Sequence, residues 1–358
     1  MLNITFDEKL FLFSPLMTKK EFSEIKGLLS QPKNHVIIPH RNPDGDAMGS
    51  SLALYEYLVN KGHEAVVLAP TSYPDFLKWM PNNDKVVIFE YNEKKGKELL
   101  DKADVIFFMD FNALDRIENI KPYILENKKA VKIMIDHHQQ PEDFPDYTFS
   151  DTSICATSQM LYHFFENIDE VDAINANMAT CIYTGILTDT GSFRFPSTTA
   201  ITHKITADLI ERGAVNHQIH SNVFDGNSQA RMKLMGVALN NMHVLEDSRS
   251  AYITISRKEL QENNFKKGDT EGFVNLSLSI NGINVAAIFI EDLENDYIKV
   301  SLRSKGKFSV NQLSRDHFNG GGHINAAGGR LDTSIEEAVE LFKNVVDINK
   351  EDIIHSNE

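Results

Sequence analysis

Residues 34 to about 137 alternate short apolar runs with segments of helical spacing, and this alternation restricts the possible folds more than any other feature. The apolar runs are "HVIIPH" (35–40), "EAVVLAP", "KVVIF", "DVIFFMD" and "VKIMID". The segment "DAMGSSLALYEYLVNKG" (46–62) has the apolar spacing of a helix that ends at Gly62. Near-continuous apolar strands separated by helices are typical of a parallel sheet covered on both faces. We therefore predict an open α/β domain in this part of the chain.

The second half of the sequence predicts a different, smaller unit. Helical patterns at 154–190 and 197–214 are followed by predicted helices to about 242. From Arg249 onward, strand-like runs ("SAYITIS", "INVAAIFIED", "YIKVSLRS") precede a glycine-rich loop, "NGGGHINAAGGR", and a closing helix, "IEEAVELFKNVV". Because 358 residues exceed one ordinary core, we predict an α/β domain at 16–214, a helical linker at 215–244 and an α+β domain at 245–349. The end, "NKEDIIHSNE", is predicted to be a frayed tail.

The composition excludes several classes of function. The formal net charge of −15 opposes binding of long nucleic acid, which depends on Lys and Arg. No apolar segment approaches the roughly 18 residues that cross a bilayer. The N-terminal stretch "MLNITFDEKLFLFSPLMTKKEF" has no basic region before its apolar patch, which argues against a signal peptide. We expect Cys155 and Cys181 to be buried free thiols, as in a reducing cytoplasm.

Acidic and imidazole side chains follow three of the predicted strands. His40 follows the first strand, Asp110 ends "DVIFFMD", and Asp136 ends "VKIMID" directly before His137 and His138. In open α/β sheets, functional side chains gather beyond the C-terminal ends of the strands. The sequence therefore predicts that these residues lie at one edge of the sheet.

Each of these motifs also has a purely structural interpretation. In "HRNPDGDAMGS", Asp46 is a candidate helix N-cap and Asp44 a turn residue, while the small residues after them permit close approach of an anion at a helix N-terminus. Asp110 and "DHH" are compatible with solvated strand ends, and "GILTDTGSFRF" places Asp189 near a helix end. One α/β topology would bring all four motifs together, so a shared metal site explains them better than four coincidences do.

The combined set contains oxygen and nitrogen ligands without thiolate, which suits Mn²⁺ or a similar divalent ion. It is large enough for two ions about 3.5 to 4 Å apart with a bridging carboxylate. Its members are His40, Asp44, Asp46, Asp110, His137 and Asp189.

These motifs resemble those of a known family. "NPDGDAMGS", Asp110, "DHH" (136–138) and "TDTGSFRF" (188–195) are similar, in order, to the four motifs of the DHH phosphoesterase superfamily. "GGGHINAAGG" (320–329) with "SLRS" (301–304) resembles the associated C-terminal substrate-binding domain. The resemblance extends over roughly residues 30 to 348, and the chain's size is similar to that of the bacterial oligoribonuclease and pAp phosphatase group.

The resemblance implies a role for each matching residue. One Mn²⁺ would bind His40, Asp44 and Asp110, and a second would bind Asp46, Asp110, His137 and Asp189. His138 would face the scissile phosphate and Asp136 would orient a histidine. The substrate would be bound by residues of the C-terminal domain, with the active site in the cleft between the domains: Arg303, Ser304, Gly321, Gly322 and His323.

The implied activity is Mn²⁺-dependent hydrolysis of very short RNA, pAp or linear dinucleotides such as pApA, in the cytoplasm. The attacking group would be a bridging hydroxide, and a metal or His138 would stabilise the leaving oxygen. A cyclic dinucleotide phosphodiesterase, an exopolyphosphatase and a non-catalytic nucleotide-binding regulator remain alternatives. The net charge argues against a RecJ-type processive exonuclease, and the "GGGH" motif argues against a manganese pyrophosphatase.

Overall fold

The computed structural model describes residues 17–356. Its α-helices are α1 (Lys19–Leu28), α2 (Gly45–Asn60), α3 (Glu93–Lys102), α4 (Lys121–Glu126), α5 (Thr157–Asn167), α6 (Ala176–Asp189), α7 (Ala200–Glu211), α8 (Asn216–His220), α9 (Gln229–Asn240), α10 (Arg257–Glu262), α11 (Val274–Leu278), α12 (Val310–His317), α13 (Ile335–Ile348) and α14 (Lys350–Ile354). Its strands are β1 (Asn34–Pro39), β2 (Glu64–Ala69), β3 (Val87–Ile88), β4 (Val105–Met109), β5 (Val131–Asp136), β6 (Tyr147–Ser150), β7 (Met242–Leu245), β8 (Ser250–Ile255), β9 (Val285–Glu291), β10 (Ile298–Ser304), β11 (Gly321–His323) and β12 (Ala326–Leu331).

The chain divides into two compact units between Asp225 and Gly226. The first unit contains a parallel sheet with the strand order β3-β2-β1-β4-β5-β6. The chain begins this sheet at β1, runs outward to β3 and returns to β4, so the order reverses between β1 and β4. The predicted open α/β domain is confirmed. The edge strand β6 was not predicted, because "YTFS" is too short to show strand periodicity.

The sheet of the first unit is buried on both faces. Every residue of β4 is buried, and its side chains alternate between two separate apolar clusters. Phe107 and Met109 belong to one cluster with Ile37, whereas Ile106 and Phe108 belong to the other. A strand that buries both faces must be apolar throughout, which is the reason for the continuous runs in the sequence.

Helices α2 and α6 approach closely because glycines line their contact. A Cβ atom on Gly49 would lie 2.5 Å from the carbonyl oxygen of Cys181, and one on Gly45 would collide with Thr188. Ala47, Ser50 and Ser51, which also follow Asp46, are buried as well. The glycines thus serve helix packing, and the expectation that the small residues admit an anion stays a prediction.

The second unit is an α+β domain, as predicted. Its sheet has the order β11-β12-β10-β9-β8-β7, with β8 and β9 parallel and the other pairs antiparallel. Apolar clusters lie on both of its faces, one around Phe289 and Phe342 and one around Ile253 and Ile288. Strand β7 begins at Met242 and pairs with β8, within the segment predicted as a linker. The predicted boundaries at 214/215 and 244/245 stay predictions.

The predicted glycine-rich loop is wrong, because its residues form an antiparallel hairpin. Gly321 pairs with Gly328 and His323 with Ala326. A Cβ atom at Gly322, where φ is +153°, would lie 2.4 Å from the carbonyl oxygen of Ala326. The glycines permit the close approach of these backbones, and glycine content alone does not reveal such a strand pair.

The predicted frayed tail is also wrong for the described residues of that stretch. Residues 350–354 form α14, and Ile353 is fully buried. The side-chain amide of Asn284 donates to the Ile353 carbonyl oxygen (2.8 Å), and the backbone N–H of Lys307 donates to the Ser356 carbonyl oxygen (2.7 Å). Two adjacent isoleucines among polar residues were too weak a pattern to predict this helix.

Cys155 and Cys181 are free, buried thiols, as predicted. Burial raises the pKa of the Cys155 thiol to about 12, so it is unreactive. Residues 17–356 contain no helix that is both long and apolar enough to cross a membrane. The apolar patch at 10–13 lies outside the described residues.

Candidate metal centre

The carboxyl edge of the parallel sheet carries the polar residues that the sequence placed at strand ends. His40 follows β1 and Asp110 follows β4, so they flank the point where the strand order reverses. Asp136 ends the adjacent strand β5, and His137 follows it. Such a reversal point is where open α/β sheets form their binding crevices.

Asp110 has an unusual backbone conformation. Its φ is +67°, in the left-handed region, and its backbone N–H donates to the Ile135 carbonyl oxygen (3.1 Å). Asp and Asn tolerate this region better than most other residues. A left-handed residue buried at a crevice is the kind of local strain that functional sites retain.

A first group of potential ligands surrounds His40. Its Nε2 atom lies 3.7 Å from Asp44 Oδ2 and 3.6 Å from Asp110 Oδ2. His40 and Asp110 are buried, whereas the Asp44 side chain is half-exposed. All three ligand atoms lie within 4.8 Å of one another, close enough to share one ion.

A second group surrounds His137. Its Nε2 atom lies 3.4 Å from Asp189 Oδ2, 3.5 Å from Asp110 Oδ1 and 3.9 Å from Asp46 Oδ2. Asp189 is the last residue of α6 and Asp46 the second residue of α2. Three ligand atoms of this group, from Asp46, His137 and Asp189, also lie within 4.8 Å of one another.

Asp110 belongs to both groups through different oxygen atoms. Its Oδ2 faces His40 and its Oδ1 faces His137. A carboxylate that directs one oxygen to each of two adjoining groups has the geometry of a bridging ligand.

Both histidines present the nitrogen that a metal requires. His40 Nδ1 lies 2.7 Å from the Arg41 carbonyl oxygen, and His137 Nδ1 lies 3.0 Å from that of Ile154. Because a carbonyl oxygen only accepts, both Nδ1 atoms must carry the proton and donate it. In the neutral imidazole the lone pair is then on Nε2, the atom that faces the carboxylates, which is the usual arrangement of metal-binding histidines.

The charges of the cluster are not balanced by the protein alone. Burial, together with the carboxylates of Asp110 and Asp189, raises the pKa of Asp46 well above its ordinary value. Burial also raises the pKa of Asp189, although His137 opposes the rise. Burial lowers the pKa of His40, but the Asp110 and Asp44 carboxylates outweigh it and raise the value to about 10. The site therefore retains protons unless another positive charge lies there, so its residues fit a divalent cation.

Asp136 contacts His138 and is placed to orient it. His138 Nδ1 donates to Asp136 Oδ1 (2.8 Å), and the ring is nearly buried. The resemblance had implied that Asp136 orients a metal-bound histidine, but His137 donates instead to the Ile154 carbonyl oxygen. Asp136 is fully buried, and its Oδ2 atom accepts no hydrogen bond from residues 17–356.

The two acids of "NPDGDAM" differ from the structural roles considered for them. Asp44 is the N-cap of α2, and its Oδ1 accepts from the backbone N–H groups of Asp46 and Ala47. Asp46 does not cap its own helix. Its carboxylate accepts from the N–H groups of Thr157 (2.6 Å) and Ser158 (2.8 Å), at the start of α5.

Sequence reasoning missed the first turn of α5. The Thr157 hydroxyl donates to Asp110 Oδ1 (2.8 Å). The helix has Ala156 at its N-cap with no side-chain cap, so Asp46 satisfies its first N–H groups from a distant segment. An "ATSQ" start without a local cap was the available signal, but nothing in it indicates which acid supplies the missing acceptor.

The predicted substrate-binding residues lie together in the second unit. Arg303 and His323 are each opposite Ala326, on the two sides of β12, so the three side chains form one row across β10, β12 and β11. The Ser304 hydroxyl donates to the Phe308 carbonyl oxygen (2.7 Å), and the Gly322 N–H donates to Asn311 Oδ1 (2.9 Å). The Gly322 amide therefore already has an acceptor within the protein.

The fold and the site together define an α/β protein with a candidate divalent-metal centre at its strand ends. Two family models match the chain: "DHH family, N-terminal domain" at residues 34–186 and "DHHA1 domain" at residues 250–348. The chain belongs to the DHH family of phosphoesterases, whose members are metal-dependent hydrolases. The resemblance drawn from the motifs is thus confirmed.

Known proteins align with most of the length of this chain. The bifunctional oligoribonuclease and PAP phosphatase NrnA of Thermus thermophilus is 31% identical over 316 residues, covering 86% of this chain and 88% of that protein. NrnA of Bacillus subtilis is 28% identical over 319 residues, covering 88% and 95%. The crystal structure of an exopolyphosphatase-related protein from Bacteroides fragilis superposes with a TM-score of 0.89 at 37% identity, covering 94% of this chain and 98% of that one.

Proposed function

We propose that this protein is a cytoplasmic, Mn²⁺-dependent phosphoesterase that hydrolyses very short RNA oligonucleotides and pAp to mononucleotides. The observation that carries the proposal is the pair of adjoining carboxylate and imidazole groups that share Asp110. Two relatives that align with nearly the whole chain have names that state both activities. The substrate assignment rests on those names, and the chemistry rests on the site.

Two ions would be held by the residues that the structure groups. His40, Asp44 and Asp110 would bind one, and Asp46, Asp110, His137 and Asp189 would bind the other. Oxygen and imidazole ligands without thiolate suit Mn²⁺. When bound, such ions supply Lewis acidity, which polarises the phosphate and lowers the pKa of an attacking water.

The protein's own groups supply orientation and a proton. His138 receives a fixed orientation from its 2.8 Å contact with Asp136. With Nδ1 donating to that carboxylate, Nε2 is the ring atom that would exchange a proton with the leaving oxygen. We assign His138 the role of general acid and Asp136 that of positioning residue.

The second unit would recognise the nucleotide. Arg303 and His323, which lie in one row, would contact a terminal phosphate, and Gly321, Gly322 and Ser304 would lie alongside it. A row that crosses only a few strands suits a short substrate, and the net charge of −15 disfavours long ones.

The experiment is a substrate panel with purified protein. It compares pAp, pApA, a 5′-phosphorylated RNA pentamer, cyclic di-AMP and polyphosphate, each with Mn²⁺ and with EDTA. We expect Mn²⁺-dependent hydrolysis of pAp and the pentamer. The polyphosphate arm tests the activity to which the name of the Bacteroides fragilis relative refers.

The control is Arg303→Ala, since a guanidinium group does not bind metal ions. It should raise KM for pAp while the Mn²⁺ affinity stays unchanged. No Mn²⁺-dependent hydrolysis of pAp or the pentamer would contradict the proposed function, and faster hydrolysis of cyclic di-AMP or polyphosphate would reassign the substrate.

A further inference from the structure

Thr157 connects the two carboxylates on which both ligand groups depend. Its hydroxyl donates to Asp110 Oδ1 (2.8 Å) and its backbone N–H to Asp46 Oδ2 (2.6 Å). Thr157, Asp46 and Asp110 are all buried, at 0%, 1% and 2% exposure. The contacts therefore lie in a water-poor environment, where hydrogen bonds to a carboxylate are strong.

The Asp110 carboxylate needs such a contact because its torsion is otherwise soft. The χ2 angle of aspartate has a broad energy minimum, so the carboxylate rotates easily about its Cβ–Cγ bond. To serve both groups, it must keep Oδ2 toward His40 and Oδ1 toward His137. A donor fixed beside Oδ1 selects that orientation.

Thr157 is suited to be a fixed donor. It is β-branched and begins α5, so its χ1 angle has few accessible values. The N–H groups of Thr157 and Ser158 both bind Asp46, which ties the start of the helix to the second ligand group. Gly185 permits this arrangement, because a Cβ atom there would lie 2.7 Å from Asp46 Oδ1 and 1.9 Å from Ser158 Oγ.

We propose that Thr157 is a positioning residue of the metal centre, whose hydroxyl fixes the bridging orientation of Asp110 without contacting metal or substrate. The proposal rests on the proposed function, since it needs divalent ions at the site. It assigns Thr157 to metal affinity and not to substrate recognition.

The test is Mn²⁺ titration by calorimetry, which requires no substrate. Thr157→Val keeps the shape of the side chain and removes the hydroxyl. Outer-shell partners of metal ligands typically contribute about 10- to 100-fold in affinity, and we expect a loss of that size. Thr157→Ser keeps a donor and should restore most of the affinity. Hydrolysis of pAp by Thr157→Val should recover when Mn²⁺ is raised to saturation, with an unchanged KM.

The matched control is Thr206→Val in α7. Thr206 is also a buried threonine, and its hydroxyl donates to the Thr202 carbonyl oxygen within its own helix (2.7 Å). This variant reports the general cost of exchanging a buried hydroxyl for a methyl group, and its Mn²⁺ affinity should equal that of the wild type. If Thr157→Val fails to fold, Thr157→Ala removes the hydroxyl without adding a methyl group beside the carboxylates.

Two results would overturn the inference alone: an Mn²⁺ affinity of Thr157→Val equal to that of the wild type, or an equal loss in Thr157→Ser and Thr157→Val. A wild-type protein that binds no Mn²⁺ would overturn the proposed function together with this inference.

Discussion

The two ends of β1 each carry a buried histidine, and the two have opposite properties. Burial, reinforced by His63, lowers the pKa of His35 to about 3. At the other end, the carboxylates beside His40 outweigh burial and raise its pKa to about 10. The rings are similarly buried, at 2% and 5% exposure. The neighbouring carboxylates, and not burial, therefore distinguish the candidate metal ligand from the structural histidine.

The hydrogen bonds of the structural pair require only the neutral form of each ring. His63 Nε2 donates to the Leu29 carbonyl oxygen (3.1 Å), so its Nδ1 accepts from the Lys33 N–H (3.2 Å) and from His35 Nε2 (3.2 Å). The His35 ring also stacks on Phe107. A buried histidine with such partners needs neither a charge nor an ion.

The largest expected effect is a difference in turnover between variants at the two ends of β4. Asp110→Asn removes the shared charge at the carboxyl edge, and asparagine tolerates the left-handed backbone there. We expect pAp turnover with Mn²⁺ to fall about 10³-fold, the upper range for losing one electrostatic contributor, with a nearly unchanged melting temperature.

Asp104 supplies the control, since it precedes β4 and accepts hydrogen bonds from Asn34 at the opposite edge. Asp104→Asn should retain wild-type turnover per folded molecule. Near wild-type turnover in Asp110→Asn would refute its role as a shared ligand.

The second prediction compares alanine variants of His35 and His40, of which the first should lose stability and the second activity. His35→Ala leaves a cavity beside Phe107 and should lower the free energy of unfolding by about 2 to 4 kcal/mol, with turnover per folded molecule retained. His40→Ala should lower turnover and Mn²⁺ affinity while the metal-free protein loses less stability than His35→Ala does. Chemical unfolding in EDTA and turnover in Mn²⁺ are the measurements, and equal profiles for the two variants would remove the distinction.

The smallest predicted effect is a pH dependence of opposite sign at the two ends. The folded pKa of His35 lies below its unfolded value of about 6.5, so its contribution is complete above pH 6.5 and is lost as the pH falls toward 3. The folded pKa of His40 is raised, so in metal-free protein its contribution is complete below pH 6.5 and is lost as the pH rises toward 10.

Urea unfolding in EDTA at pH 5.5, 7.0 and 8.5 would measure both contributions. The stability advantage of the wild type over His35→Phe should fall on acidification, by at most about 1.4 kcal/mol per pH unit. The difference between wild type and His40→Ala should change in the other direction. A difference that does not vary with pH in either variant would contradict the assigned pKa directions.

Much of this contrast could be predicted from the sequence, because a short stretch of residues is enough to show where a strand ends. An acid or histidine after an apolar run marks the carboxyl edge of a parallel strand, and His40, Asp110 and Asp136 were found in this way. Asp44 was found in the turn after the first strand and Asp189 near a predicted helix end, and the family motifs then implied a metal position for each. His35 was left inside the strand "HVIIPH" without a function, and the structure places it in the core.

What could not be predicted depends on partners that are distant in sequence. Thr157 and Asp110 are 47 residues apart, and Thr157 and Asp46 are 111 residues apart. The contact of Asp136 with His138 is local in sequence, but the sequence did not indicate which of the two adjacent histidines Asp136 orients. Glycine spacing likewise did not distinguish a loop from the β11-β12 hairpin, since both need backbones free of Cβ atoms.

The central claim, that Asp110 joins two metal positions at the carboxyl edge, is tested most directly by the stoichiometry of Mn²⁺ binding. Calorimetric titration of metal-free wild-type protein, with Asp110→Asn in parallel, gives the number of ions and their affinities. The proposed function predicts two Mn²⁺ ions per wild-type chain and weakened binding of both in Asp110→Asn. Absence of Mn²⁺ binding to the wild type, or unchanged binding of two ions by Asp110→Asn, would contradict it.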